Sequence, residues 1–529
     1  MENNYEHIPS EKFEFAQRDE YLHDTKLKTK ARGYFADAFL RFKKNKSSVV
    51  AACIIGFLII FSIVAPLISP YTIKDKDTVY TNTPPYISAI AKSGIGLFDG
   101  AVTLSSQSDL QLETWHAFGK ETGMDPVIKI VGEQYTESIK RGQVVKTKSY
   151  KIQINKYFAN GIVYRVFHYD EYEKILQYQN ETGLQILYPY VDKKDTYVTW
   201  DEEAGQYVPM SSSSIADVSQ NPNIWYKCVD TKGTPLKDSA GNYVPAYSTN
   251  KAAETIPYTS QRIEGDDGSY IYCTAKSGSV QARVCYYNYY IYLNGHEPTY
   301  VFGTNEMGQD LFMAIGIGAR FSLIFAVLVS AINLTIGAVY GAIQGFYGGT
   351  VDLVLDRIAD ILSGVPFIVV ATLFQLHLAQ KVGTVPSFLF AFVLTGWIGM
   401  AALTRKQFYR FKGQEYVMAA KTLGASDWRL MFKHIFPNSL GTIITSCVLV
   451  IPGVVSSETT LTYLGIVNLS DFAGTTIGTL MSQGQTAMMN SPHAMLFPSL
   501  FISLLLISFN LFGNGLRDAF NPTTRGVED

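Results

Sequence analysis

Apolar residues in this chain gather into long runs rather than spreading evenly. A helix needs about 20 apolar residues to cross the hydrocarbon core of a bilayer. Six stretches qualify: 48–68, 321–346, 358–378, 387–403, 440–464 and 495–512. Between the first and second lies a long polar region, 72–300, which holds 25 of the 34 tyrosines. The other runs follow one another closely. The pattern predicts six membrane helices with a folded polar insert between helices 1 and 2.

Basic residues orient the spans. Arg41, Lys43, Lys44 and Lys46 precede the first run, and Arg405, Lys406, Arg410, Lys412, Lys421, Arg429 and Lys433 lie between the fourth and fifth. The stretch 465–494 has no Lys or Arg. Cytoplasmic loops collect Lys and Arg, so both termini and the loop 405–438 are expected inside, and the insert outside. The first run follows a charged tail and is followed by no small-residue cleavage site, which reads as a retained anchor. The expected domains are a cytoplasmic basic tail (1–47), a first span (48–70) and an extracellular insert (71–302). A five-helix core (303–513) and a cytoplasmic tail (514–529) complete the chain.

The insert is rich in aromatic and β-branched residues, the composition of a folded domain. Residues 146–169 alternate with period two around Asn160-Gly161, which predicts a hairpin. Residues 269–293 predict a second one, and 170–179 a short helix stopped by Gly183. An α+β domain follows. Its tyrosines suit either strand packing or stacking on a ligand. Cys273 and Cys285 flank the turn at Ser277-Gly278-Ser279, compatible with a disulfide outside the cell or with two thiols.

The loop between spans 4 and 5 carries the most specific signal. Residues 414–423 contain good helix formers, and Gly424 suits the left-handed residue that ends a helix. Ser426 or Asp427 then caps a second helix, 428–436, that Pro437 should stop. Ala419 and Ala420 give the first helix a smooth face, and Glu415 complements its positive end. Such a short helix suits docking into a groove on an aqueous partner. A basic amphipathic loop lying on the inner leaflet is the plainer alternative.

The chemistry that is missing narrows the function. The formal net charge is −2, and no basic stripe interleaved with aromatics is found, which argues against nucleic acid. No G-x-x-x-x-G-K-[ST] phosphate loop, HExxH, G-x-S-x-G, CxxC or Cys–His cluster occurs. Catalysis, metal and cofactor binding by this chain are therefore not expected. Charged residues within spans are read as functional by default. Asp352, Asp356, Arg357 and Asp360 open the third span. Glu458 lies inside the fifth, where it either lines a path, reaches a dimer partner or makes a buried structural hydrogen bond.

Glu415, three residues, Ala419 and Ala420, then Gly424, Ile435 and Pro437 resemble the EAA signature of binding-protein-dependent ABC importer permeases, in the form of the peptide and nickel branch. Residues 41–71, RFKKNKSSVVAACIIGFLIIFSIVAPLISPY, are similar to the first span of the C-type permease of oligopeptide and dipeptide importers. GTNEMGQDLFMAIGIGARFSL at 303–323 and GNGLRDAFNP at 513–522 resemble two further motifs of that subunit. Asn305, Gln309, Asn514 and Asn521 depart from them by removing charges. Glu458, Leu461, Leu464 and Gly465 match an E-x-x-L-x-x-L-G stretch, which marks the translocation path or the dimer interface. The resemblance implies a type I, MetI-like permease core in the bacterial plasma membrane. It implies a second homologous permease subunit, two cytoplasmic ATP-binding subunits that use ATP and Mg, an extracellular solute-binding protein, and a peptide as cargo. Nickel or another small solute is the alternative cargo. A membrane sensor with an external ligand domain, and a channel or secondary transporter, are the rivals from other classes.

Overall fold

The computed structural model describes residues 34–107, 112–140 with breaks, 143–189 and 272–520 except 277, and a two-stranded piece pairing Val198–Asp201 with Gln206–Pro209. Helix α1 (Tyr34–Lys44) is short and carries an Arg41–Asp37 ion pair one turn apart. Helix α2 (Lys46–Ile68) starts at Asn45, whose side chain accepts from the Ser48 N–H at 3.3 Å. That contact satisfies one of the unpaired donors at a helix start. Apolar side chains surround α2 on every side, as expected for a helix solvated by lipid and neighbouring spans.

The polar region is a mixed α and β unit. Strands β1 (Tyr86–Ile87), β2 (Ala101–Gln107), β3 (Val127–Lys140) and β4 (Gln143–Asn155) lead into a helical turn, α3 (Lys156–Ala159). Strand β5 (Ile162–Phe167), helix α4 (Tyr169–Thr182) and strand β6 (Leu187–Tyr188) follow. After the undescribed stretch come β7 (Cys273–Lys276), β8 (Ser279–Cys285), helix α5 (Tyr286–Asn294) and β9 (Thr299–Tyr300). One antiparallel sheet has the order β2-β4-β3; another has β5-β8-β6, with β7 also on β8.

Two expectations for this region are corrected. The alternating segment 146–169 is not a hairpin. Asn155 accepts from the N–H groups of Tyr157 and Phe158 at 2.9 and 3.4 Å and starts α3. Strand β4 therefore stays with β2 and β3, while β5 crosses to β8. The 269–293 hairpin exists as β7–β8, but its second half is the helix α5. Cys273 and Cys285 form no disulfide with each other. In register Cys273 faces Ala282, and Cys285 lies three positions further along β8, opposite Ile162. At about 3.3 Å per residue that offset is near 10 Å, beyond the Cα separation a disulfide spans.

The tyrosines form the core of this unit. Tyr80, Tyr86, Tyr157, Tyr188, Tyr286, Tyr290 and Tyr300 are all buried, most of them in ring contact with one another, and Tyr71, Tyr286, Tyr290 and Tyr300 also line a cavity of about 460 Å³. Tyr86 and Tyr157 stack at 4.4 Å between centroids. Their hydroxyls find partners inside the cluster: Tyr290 donates to Tyr71 at 2.8 Å, and Tyr286 to Asp77 at 2.8 Å. Burial pushes several of these hydroxyls above the usual phenol range, Tyr80 and Tyr157 among them. Tyr71, where the chain leaves the first span, stacks on Tyr300, where it returns, at 4.6 Å and 7°. Both ends of the insert are thus clamped together, and Ser69 after α2 donates to Asp310 before the next span at 2.9 Å. A long insertion is accommodated without separating spans 1 and 2.

Helix α6 (Leu311–Tyr347) has 37 residues, about 55 Å at 1.5 Å per residue, so it outreaches the hydrocarbon core. Asp310 caps it, accepting from the Phe312 and Met313 N–H groups at 3.2 Å each. Burial pushes the Asp310 carboxyl up to about 6. The expected third span is instead two helices, α7 (Gly349–Ser363) and α8 (Phe367–His377), bent by 72°. Gly364 and Pro366 cause the break: proline supplies no N–H and disfavours helix in the residue before it. Next come α9 (Thr384–Phe411), the short α10 (Glu415–Thr422), α11 (Asp427–Tyr463), α12 (Ile477–Ala487) and α13 (His493–Phe520). Among the described residues five helices are long and apolar enough to cross a membrane, six if α7–α8 counts as one. Their buried faces share a continuous apolar core that includes Leu58, Phe325, Phe388, Val455 and Phe501.

Candidate functional site

The loop between α9 and α11 is built around one inward residue. Val417 is 3% exposed and packs with Ala342, Phe408, Leu430, Met431 and Ile435. Around it the surface is open and apolar: Leu423 is 89% and Trp428 62% exposed, and Tyr416 and Met418 are also exposed. Glu415 and Ala419 are exposed, and Ala420 is half-buried against the cluster. Gly424 takes φ +85, with its N–H donating to Lys421 O at 2.9 Å and that of Ala425 to Ala420 O at 3.1 Å. These bonds satisfy the last carbonyls of α10, the expected glycine stop. Asn438 ties the loop back to α11, donating to Tyr416 Oη at 3.2 Å and His434 O at 2.8 Å.

Pro437 does not stop the second helix, contrary to the sequence expectation. Leu430–Ile435 forms a π-helical segment, and Phe436 N–H reaches back to Met431 O. The wider turn removes the need for a proline N–H at that point, so α11 runs on through Pro437 into the membrane. Ser426 begins the helix with extended backbone but makes no side-chain cap. Loop and span are consequently one continuous rod.

A second connection runs through glycine. Gly337, Gly341 and Gly345 repeat every four residues on α6 and face α9. A Cβ on Gly341 would come within 2.2 Å of Ala401 O, and one on Gly345 within 2.7 Å of Arg405 O. Small residues at this spacing let helix backbones touch. At the loop end of this contact Arg405 donates to Asp352 at 2.5 Å and Asp356 at 2.6 Å. Tyr409 also donates to Asp352, at 2.7 Å. The acidic cluster at the start of α7 is thus bound to the helix that leads into the loop, while Arg357 pairs with Asp360 at 3.1 Å. Arg405 and the glycine stripe escaped the sequence reading. The four-residue spacing of the glycines was a visible signal; the Arg405 pairing, about fifty positions distant, was not.

Glu458 is fully buried between α11 and α6, and its Oε2 accepts from Ser322 Oγ at 2.7 Å. Within this chain it is a buried helix-to-helix hydrogen bond. Leu461 is buried in the membrane core, Leu464 is exposed, and Gly465 closes α11 with φ +70. The E-x-x-L-x-x-L-G residues therefore divide between packing and surface.

The charge-removing departures before α6 form their own pair. Asn305 donates through Nδ2 to Gln309 Oε1 at 2.9 Å, and Gln309 donates to Ile73 O at 2.6 Å. Asn305 Oδ1 accepts from the Met307 and Gln309 N–H groups at 3.0 and 2.9 Å. A neutral amide pair occupies the place of the Asp and Arg of the resembling pattern. Asn305→Asp alone should cost about 1–3 kcal/mol by stripping a buried donor. Adding Gln309→Arg should recover most of it. Thermal unfolding of the two single variants and the double variant checks this; additive losses would refute the pairing.

The family described as binding-protein-dependent transport system inner membrane component matches residues 333–526. The N-terminal TM domain of oligopeptide transport permease C matches residues 33–85. The oligopeptide transport system permease protein OppC of Bacillus subtilis is 39% identical over 236 residues, 44% of this chain and 76% of the relative. The dipeptide transport system permease protein DppC of that organism is 36% identical over 225 residues, 42% of this chain and 69% of the relative. The solved inward-facing MetNI methionine ABC transporter aligns with TM-score 0.33 at 14% identity, covering 39% of this chain and 96% of that chain. A multi-pass helical membrane protein carrying a binding-protein-dependent transport inner membrane component is the class these features define. The chain belongs to the family of oligopeptide and dipeptide permease C proteins.

Proposed function

We propose that this chain is the membrane-spanning subunit of an ATP-driven importer of oligopeptides or dipeptides. The observation that carries the reading is the loop of α10 and Gly424, an exposed apolar surface continuous with α11 and packed against α6 and α9. Two cytoplasmic ATPase subunits would dock there, with ATP and Mg bound in those subunits. Glu415, Ala419, Ala420, Gly424, Ile435 and Pro437 belong to this docking element, Ile435 as its buried anchor. Nucleotide-driven movement of the loop would tilt α11 directly, and α6 and α9 through Arg405 and the glycine stripe. A second homologous permease would enclose the path with this chain. The excess of Lys and Arg before α2 and around α10 supports cytoplasmic termini and an extracellular insert. A solute-binding protein would deliver the peptide on the insert side.

The test is reconstitution of the chain with its partner permease, ATPases and binding protein in vesicles. Uptake of a labelled peptide should require ATP and cease when the phosphate-loop lysine of the ATPases is replaced. Uptake that survives this replacement would overturn the proposal in favour of a channel or secondary transporter.

A further inference from the structure

The chain that leaves α2 at Ile68 turns directly into the wall of a cavity of about 460 Å³. Tyr71 and residues 74–78 line one side of it, and α5 with Arg165 of β5 the other. Gly308 and Asp310, just before α6, complete the lining. Two contacts fix its depth. Ser69, next after α2, donates to Asp310 at 2.9 Å, and the Asp77 N–H donates to Gly308 O at 3.4 Å. The cavity therefore begins where the apolar run of α2 stops. Lipid headgroups occupy about the next 5–7 Å beyond the hydrocarbon core. The adjoining end of α2 turns apolar side chains outward: Ile63, Val64, Leu67 and Ile68 are all exposed.

The charges of the lining are used unequally. Its three carboxylates are engaged by donors of the chain itself. Asp75 accepts from the Thr72 N–H at 2.7 Å. Asp77 accepts from the Val79 and Tyr80 N–H groups and from Tyr286 Oη, at 2.8 Å each. Asp310 caps α6. The three cations, Lys74, Lys76 and Arg165, pair with no carboxylate among the described residues. Both lysines are exposed, and Arg165 is half-buried. Its guanidinium lies over the rings of Tyr286 and Tyr289, 5.2 and 5.4 Å from their centroids. Such stacking holds the guanidinium in place without using its N–H donors.

We propose that this cavity holds the headgroup phosphate of an anionic lipid, with phosphatidylglycerol as the simplest case. Arg165 would present its fork of donors to the phosphate oxygens, and Lys74 and Lys76 would add point charges at the rim. The acyl chains would lie along the exposed apolar end of α2. The tyrosine walls suit this depth, since the ring is apolar and the hydroxyl polar. A free phosphate meets the same cations but gains nothing from α2. A choline headgroup brings a further positive charge to the place where three are already unpaired. The lipid would fasten the insert to the leaflet beside span 1. This inference goes beyond peptide transport and depends only on the chain lying in a membrane.

The experiment is native mass spectrometry of the full chain, released from detergent after incubation with phosphatidylglycerol, phosphatidylcholine or inorganic phosphate. The comparison chains are Arg165→Gln and the double variant Lys74→Gln, Lys76→Gln. The unmodified chain should retain one more phosphatidylglycerol than either variant, and that site should favour phosphatidylglycerol over phosphatidylcholine about tenfold. The basic residues around α10 remain in all three chains, so the difference reports the cavity. The two lysines are exposed, so their replacement should leave the melting temperature unchanged and keep the test valid where Arg165→Gln loosens the insert. Equal phosphatidylglycerol counts in the unmodified chain and the lysine variant would overturn the site. Phosphatidylcholine held as tightly as phosphatidylglycerol would do the same. Displacement of the extra lipid by an equal concentration of phosphate would overturn the lipid in favour of a free anion. No ATPase or peptide takes part, so failure here is distinguishable from failure of ATP-driven uptake.

Discussion

Gly424→Asp is expected to abolish peptide uptake while the chain remains folded in the membrane. Two properties of the site make this change diagnostic. A Cβ at Gly424 meets no atom within 4 Å, so the new side chain displaces nothing inside the protein. The backbone sits at φ +85, where a side chain costs about 1–2 kcal/mol and Asp is among the better-tolerated residues. The fold should therefore survive. What changes is the exposed apolar surface of Leu423 and Trp428, which acquires a carboxylate at its centre. Burying that unpaired charge in a docked interface is far more costly than the local strain. Co-purification of the ATPase subunits should fall with uptake. Gly424→Ala is the control, since it adds the strain without the charge and should retain most uptake. Equal loss in both variants would assign the effect to the turn itself, and normal uptake by Gly424→Asp would remove the loop from the docking role.

What could be read in the sequence depended on the range of the interaction. The long apolar runs, the loop helix and its glycine stop are local, and the chain forms them where the residues indicate. The third apolar run is legible, but its break is not, although the sign of it is present. Gly364 and Pro366 lie inside an apolar run, and hydropathy alone does not report the 72° bend they produce. Pro437 erred the opposite way. Proline stops an α-helix, but the π segment at Leu430–Ile435 lets the helix continue, and that segment depends on the buried packing of Leu430, Met431 and Ile435. Strand partners were also out of reach. Period-two alternation identified β4 and β5 correctly as strands, and only their three-dimensional neighbours reveal that they belong to different sheets. The candidate site divides similarly: Val417 and Gly424 act within their own loop, whereas Arg405 draws its meaning from Asp352 and Asp356 on another helix.

The largest effect on stability is expected from Gly341→Leu, which should leave little folded protein. Helix α6 joins the membrane core to both ends of the molecule. Met313 near its start packs into the tyrosine core of the insert, and Ala342 near its end belongs to the cluster under Val417. Its contact with α9 is backbone to backbone at Gly341, where even one carbon would lie 2.2 Å from Ala401 O and 2.9 Å from Thr404 Cβ. Neither neighbour is a flexible side-chain end, so the helices must separate. Overpacking a closed interface costs about 1–3 kcal/mol, and more where backbone must move. Separation would also pull Arg405 from its two carboxylates, leaving charges unpaired. Gly341→Ala should already lower the melting temperature of the detergent-purified chain, and Gly341→Leu should shift it to aggregates on size exclusion. Gly399→Ala is the matched control on α9: a Cβ there meets nothing within 4 Å in this chain. Replacing a mid-helix glycine by alanine in open space removes conformational freedom from the unfolded chain and should be neutral or stabilising by about 0.5–1 kcal/mol. If Gly341→Ala melts with the unmodified chain, the α6–α9 contact is looser than the geometry requires, and coupling between loop and span must then run through α11 alone.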